Sequence, residues 1–182
     1  MRLWTVGHGA LAGEAFAGLL AAAGITTVVD VRRSPSSRRH PQFNRPHLAA
    51  RLADAGIAYH WDEALGGRRA PQPDSPHVAL ADAALRGYAD HMGTPAFGDA
   101  VARLAGLAAG QPVAVLCAEG DWRRCHRRLL ADHVALAREV EVVHLRHDGG
   151  SEPHALTPGA RRSAAGVVYD AGHTPRLPGT AT

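Results

Sequence analysis

The sequence predicts a single α/β domain, a mostly parallel central sheet with helices on both faces. Three observations carry this expectation. Short apolar and β-branched runs recur along the chain: RLWTV, ITTVVDV, IAYHW, QPVAVLC and VEVVHL. Segments with apolar residues at helical spacing lie between them, and Gly or Pro punctuates almost every junction. Strands that alternate with helices call for crossover connections, and these make a parallel sheet covered on both sides.

The elements follow in order. Arg2 to Val6 is a buried strand that stops at the tight turn Gly7-His8-Gly9. A helix should follow, with Phe16, Leu19, Leu20 and Ala23 on one face and Gly24 as its stop. Ile25 to Val31 is a strand with Asp30 near its end, which completes a βαβ unit. The loop Arg32 to Arg45 is rich in Pro, Ser and Arg, and Pro46 can open a helix that runs to Gly56. Ile57 to Trp61 is a shorter strand, followed by a long Gly/Pro-rich segment with the character of a functional loop or lid.

Ser75-Pro76 and Thr94-Pro95 each pair an N-cap residue with Pro at the first helical position, so both are expected helix starts. Gln111 to Cys117 is the best central strand, and its helix is expected over Arg124 to Ala137. Val140 to Leu145 is the last predicted strand. The domain is expected over residues 1–162, with 163–182 a weakly ordered tail.

Composition narrows the function. A 182-residue chain with 46% hydrophobic residues can bury a core without staples. With two cysteines, no charged leader ahead of an apolar run and no stretch near the roughly 20 apolar residues that span a bilayer, the expected location is cytoplasmic and reducing, with no membrane partner. Basic residues exceed acidic ones only slightly, 20 against 17, but the arginines cluster in RRSPSSRRHPQFNR and RRCHRR. Such clusters suit phosphate or carboxylate. They are also what an Arg-rich surface looks like.

In open α/β sheets ligands bind beyond the carboxyl ends of the strands. Those ends carry Gly7-His8-Gly9, Asp30 and Arg32, His60, and Cys117-Ala118-Glu119, so polar residues far apart in sequence are expected on one rim. The strings TVGHG, VVDVRRSPSSRRHPQFNR, LGGRR, GYADHM, LCAEGDWRRCHRRLLADH, VVHL and HALTPGARR, spread over Met1 to Arg162, resemble the motif set of the bacterial domain of unknown function 488 family. The resemblance implies a small cytoplasmic α/β fold and a shared polar site, without supplying a reaction. It places that site on His8, Asp30, Arg32, Asn44, Gly66, Gly67, Tyr88, Cys117, Glu119, Cys125, His126 and Arg127.

The stretch VLCAEGDWRRCHRRLL admits four readings. As a metal site, Cys117, Cys125, His126 and His8 are suitable ligand types, and a transition metal is the one cofactor they suggest. Against this, adjacent residues at a helix start point about 100° apart. As an anion cradle, Cys117 to Arg123 spells Cys-x5-Arg, but Glu119 and Asp121 lie inside the loop. As a nonmetal enzyme pocket, Cys125 in a first helical turn beside His126 and Arg127 favours thiolate, and Glu119 can serve as acid or base. As plain structure, Cys117 closes the strand as a small buried hydrophobe and Glu119 caps the helix.

The reading preferred from the sequence is an enzyme with catalytic Cys117, Glu119, Cys125, His126 and His8. A small anionic substrate would be bound by Arg32, Arg38, Arg39 and Arg127, with Asp30, Asn44, Gly66, Gly67 and Tyr88 completing the site. Its rival is a nucleic-acid-binding or regulatory module in which the Arg32 to Arg45 arm tracks phosphates and Trp122 or Trp61 stacks on bases. Tyr88 and Met92, four apart, read by spacing as core; His77, His91, His133 and His154 read as surface or internally satisfied.

Overall fold

The computed structural model describes residues 1–164 and 166–170. A six-stranded sheet forms the centre, with β1 (Arg2–Gly7), β2 (Thr27–Asp30), β3 (Ala58–Trp61), β4 (Val113–Cys117), β5 (Glu141–Leu145) and β6 (Ser151–Pro153). Their spatial order is β3-β2-β4-β1-β5-β6; the first five are parallel, and only β6 runs antiparallel, beside β5. β4 is buried along its whole length because it has a strand on each side and a helical layer on each face. The expected α/β class is the observed one.

Helices α1 (Gly13–Ala22) and α2 (Arg45–Asp54) cover one face, where Phe16, Leu20, Leu48 and Leu52 pack on Val6, Val28, Ala114 and Leu116. Helices α3 (Ala83–Met92), α4 (Pro95–Gly110) and α5 (Arg127–Arg138) cover the other, where Tyr88, Phe97, Leu104 and Leu129 meet Leu3, Val113 and Val115. Tyr88 and Met92 are core, as their spacing predicts. Gly24 and Gly56 take the left-handed conformation past the ends of α1 and α2, with φ of 70° and 72°. Thr94 caps α4 by accepting from Phe97 N, with Pro95 in the first turn.

The structure departs from expectation at three places. No helix starts at Ser75-Pro76: Ser75 Oγ instead accepts from His77 N in a turn, and α3 begins at Ala83 behind Asp82, whose Oδ1 accepts from Leu85 N at 2.9 Å. The helix after β4 begins at Arg127 rather than Arg124, because Trp122–Arg124 forms a separate 3-10 turn capped by Asp121. The weakly ordered tail expected from 163 does not begin there, since β7 (Ala160–Ser163) and β8 (Gly166–Tyr169) pair as an antiparallel hairpin. Tyr169 anchors that hairpin by donating to the buried Asp132 on α5. Residues 165 and 171–182 of that expected tail lie outside the described residues.

Histidines 77, 133 and 154 are not surface groups. His77 and His133 are buried, and the His154 ring bridges His144 and Asp132 at 2.9 Å on each side. No helix among the described residues is long and apolar enough to cross a membrane.

Candidate active site

The connections from β1 and β2 run toward one edge of the sheet and the connection from β4 toward the other. Their carboxyl ends therefore open a crevice, the usual ligand position in this class of fold. The crevice is a cleft of about 1110 Å³. His8, Arg32, Arg39, Gly67, Cys117, Glu119, Cys125 and His126 all line it. Ser34, Ser36, Ser37, His40, Arg33, Arg68 and Arg124 line it too, although the sequence reading did not select them. Most of these come from the polar loop after β2, Arg32 to Arg45.

At the floor, three donor atoms converge. His126 Nδ1 lies 3.8 Å from Cys117 Sγ and 3.7 Å from Cys125 Sγ. The other ring nitrogen, Nε2, faces Val31 O at 3.1 Å. A carbonyl only accepts, so Nε2 carries a proton, and in the neutral ring the Nδ1 lone pair faces the thiols. Tyr88 supports the ring edge-on, 4.9 Å between centroids, and donates its hydroxyl to Leu65 O. Gly67 closes the other side, because a Cβ there would stand 2.6 Å from His126 Nδ1.

On a helix, adjacent Cys125 and His126 are expected to diverge. They converge because Cys125 is not helical. It ends the 3-10 turn in extended conformation, φ −116° and ψ 152°, and only His126 turns the chain into α5. Both cysteines are free and buried. The adjacent Cys117 thiol, reinforced by the neighbouring His126 and Arg127, holds the Cys125 thiol well below its ordinary range; the proximity of Cys125, with burial, pushes Cys117 well above it.

Arg127 has a different role from the one expected of it. It is 1% exposed and does not line the cleft. One Nη2 donates to Glu119 O and Gly120 O, and Nη1 donates to Thr5 Oγ1 at 3.3 Å, so the guanidinium ties down the loop after β4. Gly7 makes room, since a Cβ there would collide with Glu119 O. Among the described residues no carboxylate pairs with Arg127. Its positive charge favours the ionised form of both thiols and the neutral form of His144.

Asp30 and Arg32 form a buried pair. Arg32 Nε meets Oδ1 at 2.9 Å and Nη2 meets Oδ2 at 2.5 Å, with Tyr59 OH donating to Oδ2 at 2.7 Å. Asp30 thus faces Arg32 rather than the cleft, and Arg32 Nη1 comes within 3.5 Å of His8 Nε2. His8 stacks on Phe43, centroids 4.0 Å apart, and burial pushes its pKa down to about 4. It lies on the cleft wall but outside the Cys117-Cys125-His126 cluster, so the four-ligand arrangement with His8 is not formed.

The remaining expected residues divide. Glu119 is exposed on the rim, where Oε1 accepts from Asp121 N; neither Arg32 nor Arg127 pairs with its carboxylate. Asp121 Oδ1 in turn accepts from Arg123 N, while the Arg123 guanidinium is exposed and engaged with Glu152. Two N–H groups of the Cys-x5-Arg loop are therefore taken by its own carboxylates, and the anion cradle fails. Asn44 Oδ1 accepts from Ser37 N at 2.6 Å and shapes the cleft loop from behind. Gly66 lets Arg33 approach, and Arg38 is exposed but does not line the cleft.

A family model described as Domain of unknown function DUF488 matches residues 12–134, which carry α1 through the first part of α5. No curated protein and no solved structure matches the chain. The match includes the Cys117-to-Arg127 stretch and the arginine-rich loop, while His8 and the strings VVHL and HALTPGARR fall outside it. With more than half of its residues inside that model, the chain belongs to the DUF488 family.

Proposed function

We propose that this protein is an enzyme of a reducing cytoplasm that performs thiol-dependent group transfer or hydrolysis on a small anionic substrate held in the cleft. One observation carries the reading: the Nδ1 face of His126, fixed from behind by Val31 O, is aimed at two buried thiols that open onto a cleft with five arginines and three carboxylates. A nucleophile, a base within reach and a group that orients the base are the parts such chemistry needs.

His126 Nδ1 takes the Cys125 proton, and Arg127 and the Cys117 S–H stabilise the thiolate. The thiolate attacks the electrophilic carbon or phosphorus of the substrate; a bond to sulfur forms as the bond to the leaving group breaks. The imidazolium returns its proton to the leaving group, and Glu119 on the rim activates the water or acceptor that releases the adduct. Arg39 and the Nη1 edge of Arg32 draw the anion in.

The nucleic-acid reading finds less support. Trp122 is buried and stacked on His144, centroids 3.9 Å apart, and Trp61 is covered by Arg45 at 4.7 Å with its Nε1 committed to Arg32 O. Neither is available to stack on a base.

The test compares a negatively charged alkylating agent, iodoacetate, with neutral iodoacetamide on the intact protein. A cationic cleft concentrates the anion, so the rate ratio should exceed that of a free thiol, fall with salt and fall in Arg39→Ala. A ratio equal to the free thiol's, insensitive to salt, rejects the anionic-substrate reading.

A further inference from the structure

We propose that Cys117, Cys125 and His126 form a three-residue site for a thiophilic divalent ion of the Zn²⁺ class, with the fourth coordination position open to the cleft. The three donor atoms lie within 4.8 Å of one another. Zinc bonds of about 2.3 Å to sulfur and about 2.0 Å to nitrogen, set at tetrahedral angles, place sulfur and nitrogen ~3.6 Å apart. The two S···Nδ1 distances are 3.7 and 3.8 Å, so an ion can enter with only small shifts.

Three further features agree. The Nε2–H to Val31 O bond is the outer contact that fixes a metal-binding imidazole with its other nitrogen presented. Two thiolates neutralise a dication at a buried position, and thiolate with imidazole selects Zn²⁺ or Co²⁺ over Mg²⁺ or Ca²⁺. The site is rigid: Cys117 sits opposite Gly7 in the sheet, and Tyr88 and Gly67 hold His126 from either side.

Closed structural zinc sites carry four protein ligands, whereas here three donors converge among the described residues and the remaining position faces the cleft. Chelators and cleft anions can therefore reach the ion, which fits a reversible cap on the thiols. The cap rests on the proposed function only for what it silences: coordinated Cys125 is not a nucleophile, so the metal-bound form is the off state of the same site.

Reduced, metal-stripped full-length protein titrated with Co²⁺ under anaerobic conditions should develop a thiolate-to-cobalt charge-transfer band that saturates at one equivalent and is erased by Zn²⁺. Cys117→Ser, Cys125→Ser and His126→Ala should each weaken Co²⁺ binding by more than about 100-fold, since loss of an outer contact alone costs about 10–100-fold; His8→Ala should not. Bound Zn²⁺ should protect both thiols from iodoacetamide, and a chelator should restore labelling. Absence of the sulfur band in the wild-type protein, or its persistence at undiminished affinity in Cys117→Ser, overturns the metal site, and the wild-type result holds even if a variant misfolds. No band together with an acidic, rapidly alkylated Cys125 leaves the thiol enzyme standing. A band together with a Cys125 of ordinary acidity in the stripped protein supports the metal site and removes the thiol enzyme.

Discussion

Replacing Gly67 by alanine separates the chemistry of the cleft from the stability of the fold. Gly67 is outside the left-handed region, so alanine is conformationally permitted there. The new Cβ would stand 2.6 Å from His126 Nδ1 and 2.8 Å from Cγ. Ordinary carbon contacts of about 3.5 Å require the ring to move by about 1 Å, and Tyr88 behind it and Val31 O at its far nitrogen limit where it can go. The move breaks the contacts with both sulfurs.

A hydrogen bond to a charged group contributes about 1.5–3 kcal/mol, and its loss raises the Cys125 pKa. Below the wild-type midpoint the thiolate population, and with it the alkylation rate, falls ~10–100-fold, and the difference closes as pH rises past the variant's midpoint. The cost in stability is about 1–3 kcal/mol, typical of one overpacked methyl. Alkylation rates against pH, read by mass spectrometry at Cys125, test this alongside a thermal melt. Gly18→Ala, on α1 with nothing within 4 Å of its Cβ, is the control. A folded Gly67→Ala protein with wild-type rate and midpoint would refute the role given to His126.

Other outcomes follow from the same contacts. Asp30→Asn leaves the buried Arg32 guanidinium without its carboxylate and should cost about 3–5 kcal/mol in a urea titration; a loss under about 1 kcal/mol contradicts the pairing. Arg127→Met removes the cation that faces the thiols and should raise the Cys125 midpoint, while Arg127→Lys should recover part of the acidity; equal midpoints in both assign Arg127 to packing alone. Burial lowers His8 and His133 to about 4 and His144 to about 3. The unfolded chain, with ordinary histidines near 6.5, binds more protons than the native state between those values, so stability is full above about pH 6.5 and declines as pH falls toward 3–4. Each histidine contributes about 2 kcal/mol of that loss by pH 5, and denaturation midpoints that stay constant from pH 7 to 5 contradict it.

Much of this architecture is legible in the sequence because β4 and its neighbours are continuous apolar runs, and periodicity is a strong signal where both faces are buried. Strands β6 and β7 read SEP and ARRS, with no apolar alternation, and only pairing with a neighbour makes them strands. The rim was legible for a topological reason: strand ends converge wherever the sheet is parallel. What sequence spacing cannot give is the local conformation that aims a side chain. Cys125 and His126 share one focus because Asp121 caps a 3-10 turn just before them, and a helical reading sends them apart. Arg127 looked like a ligand group because arginines are rarely buried; its partners are backbone carbonyls and Thr5, which no residue pattern announces. Likewise the sequence places His8 in a tight turn on the rim, but nothing in it announces that Phe43, from a loop far along the chain, stacks on the ring.

The central claim is that Cys125 is the reactive thiol of the cleft and Cys117 its proton-bearing neighbour. The pH–rate profile of iodoacetamide alkylation on the reduced, metal-stripped wild-type protein, resolved to each cysteine by mass spectrometry, tests it most directly. Modification is expected first at Cys125 with a midpoint well below that of an ordinary thiol, and at Cys117 only at much higher pH. First modification at Cys117, or a Cys125 midpoint in the ordinary thiol range of about 8.5, would contradict it.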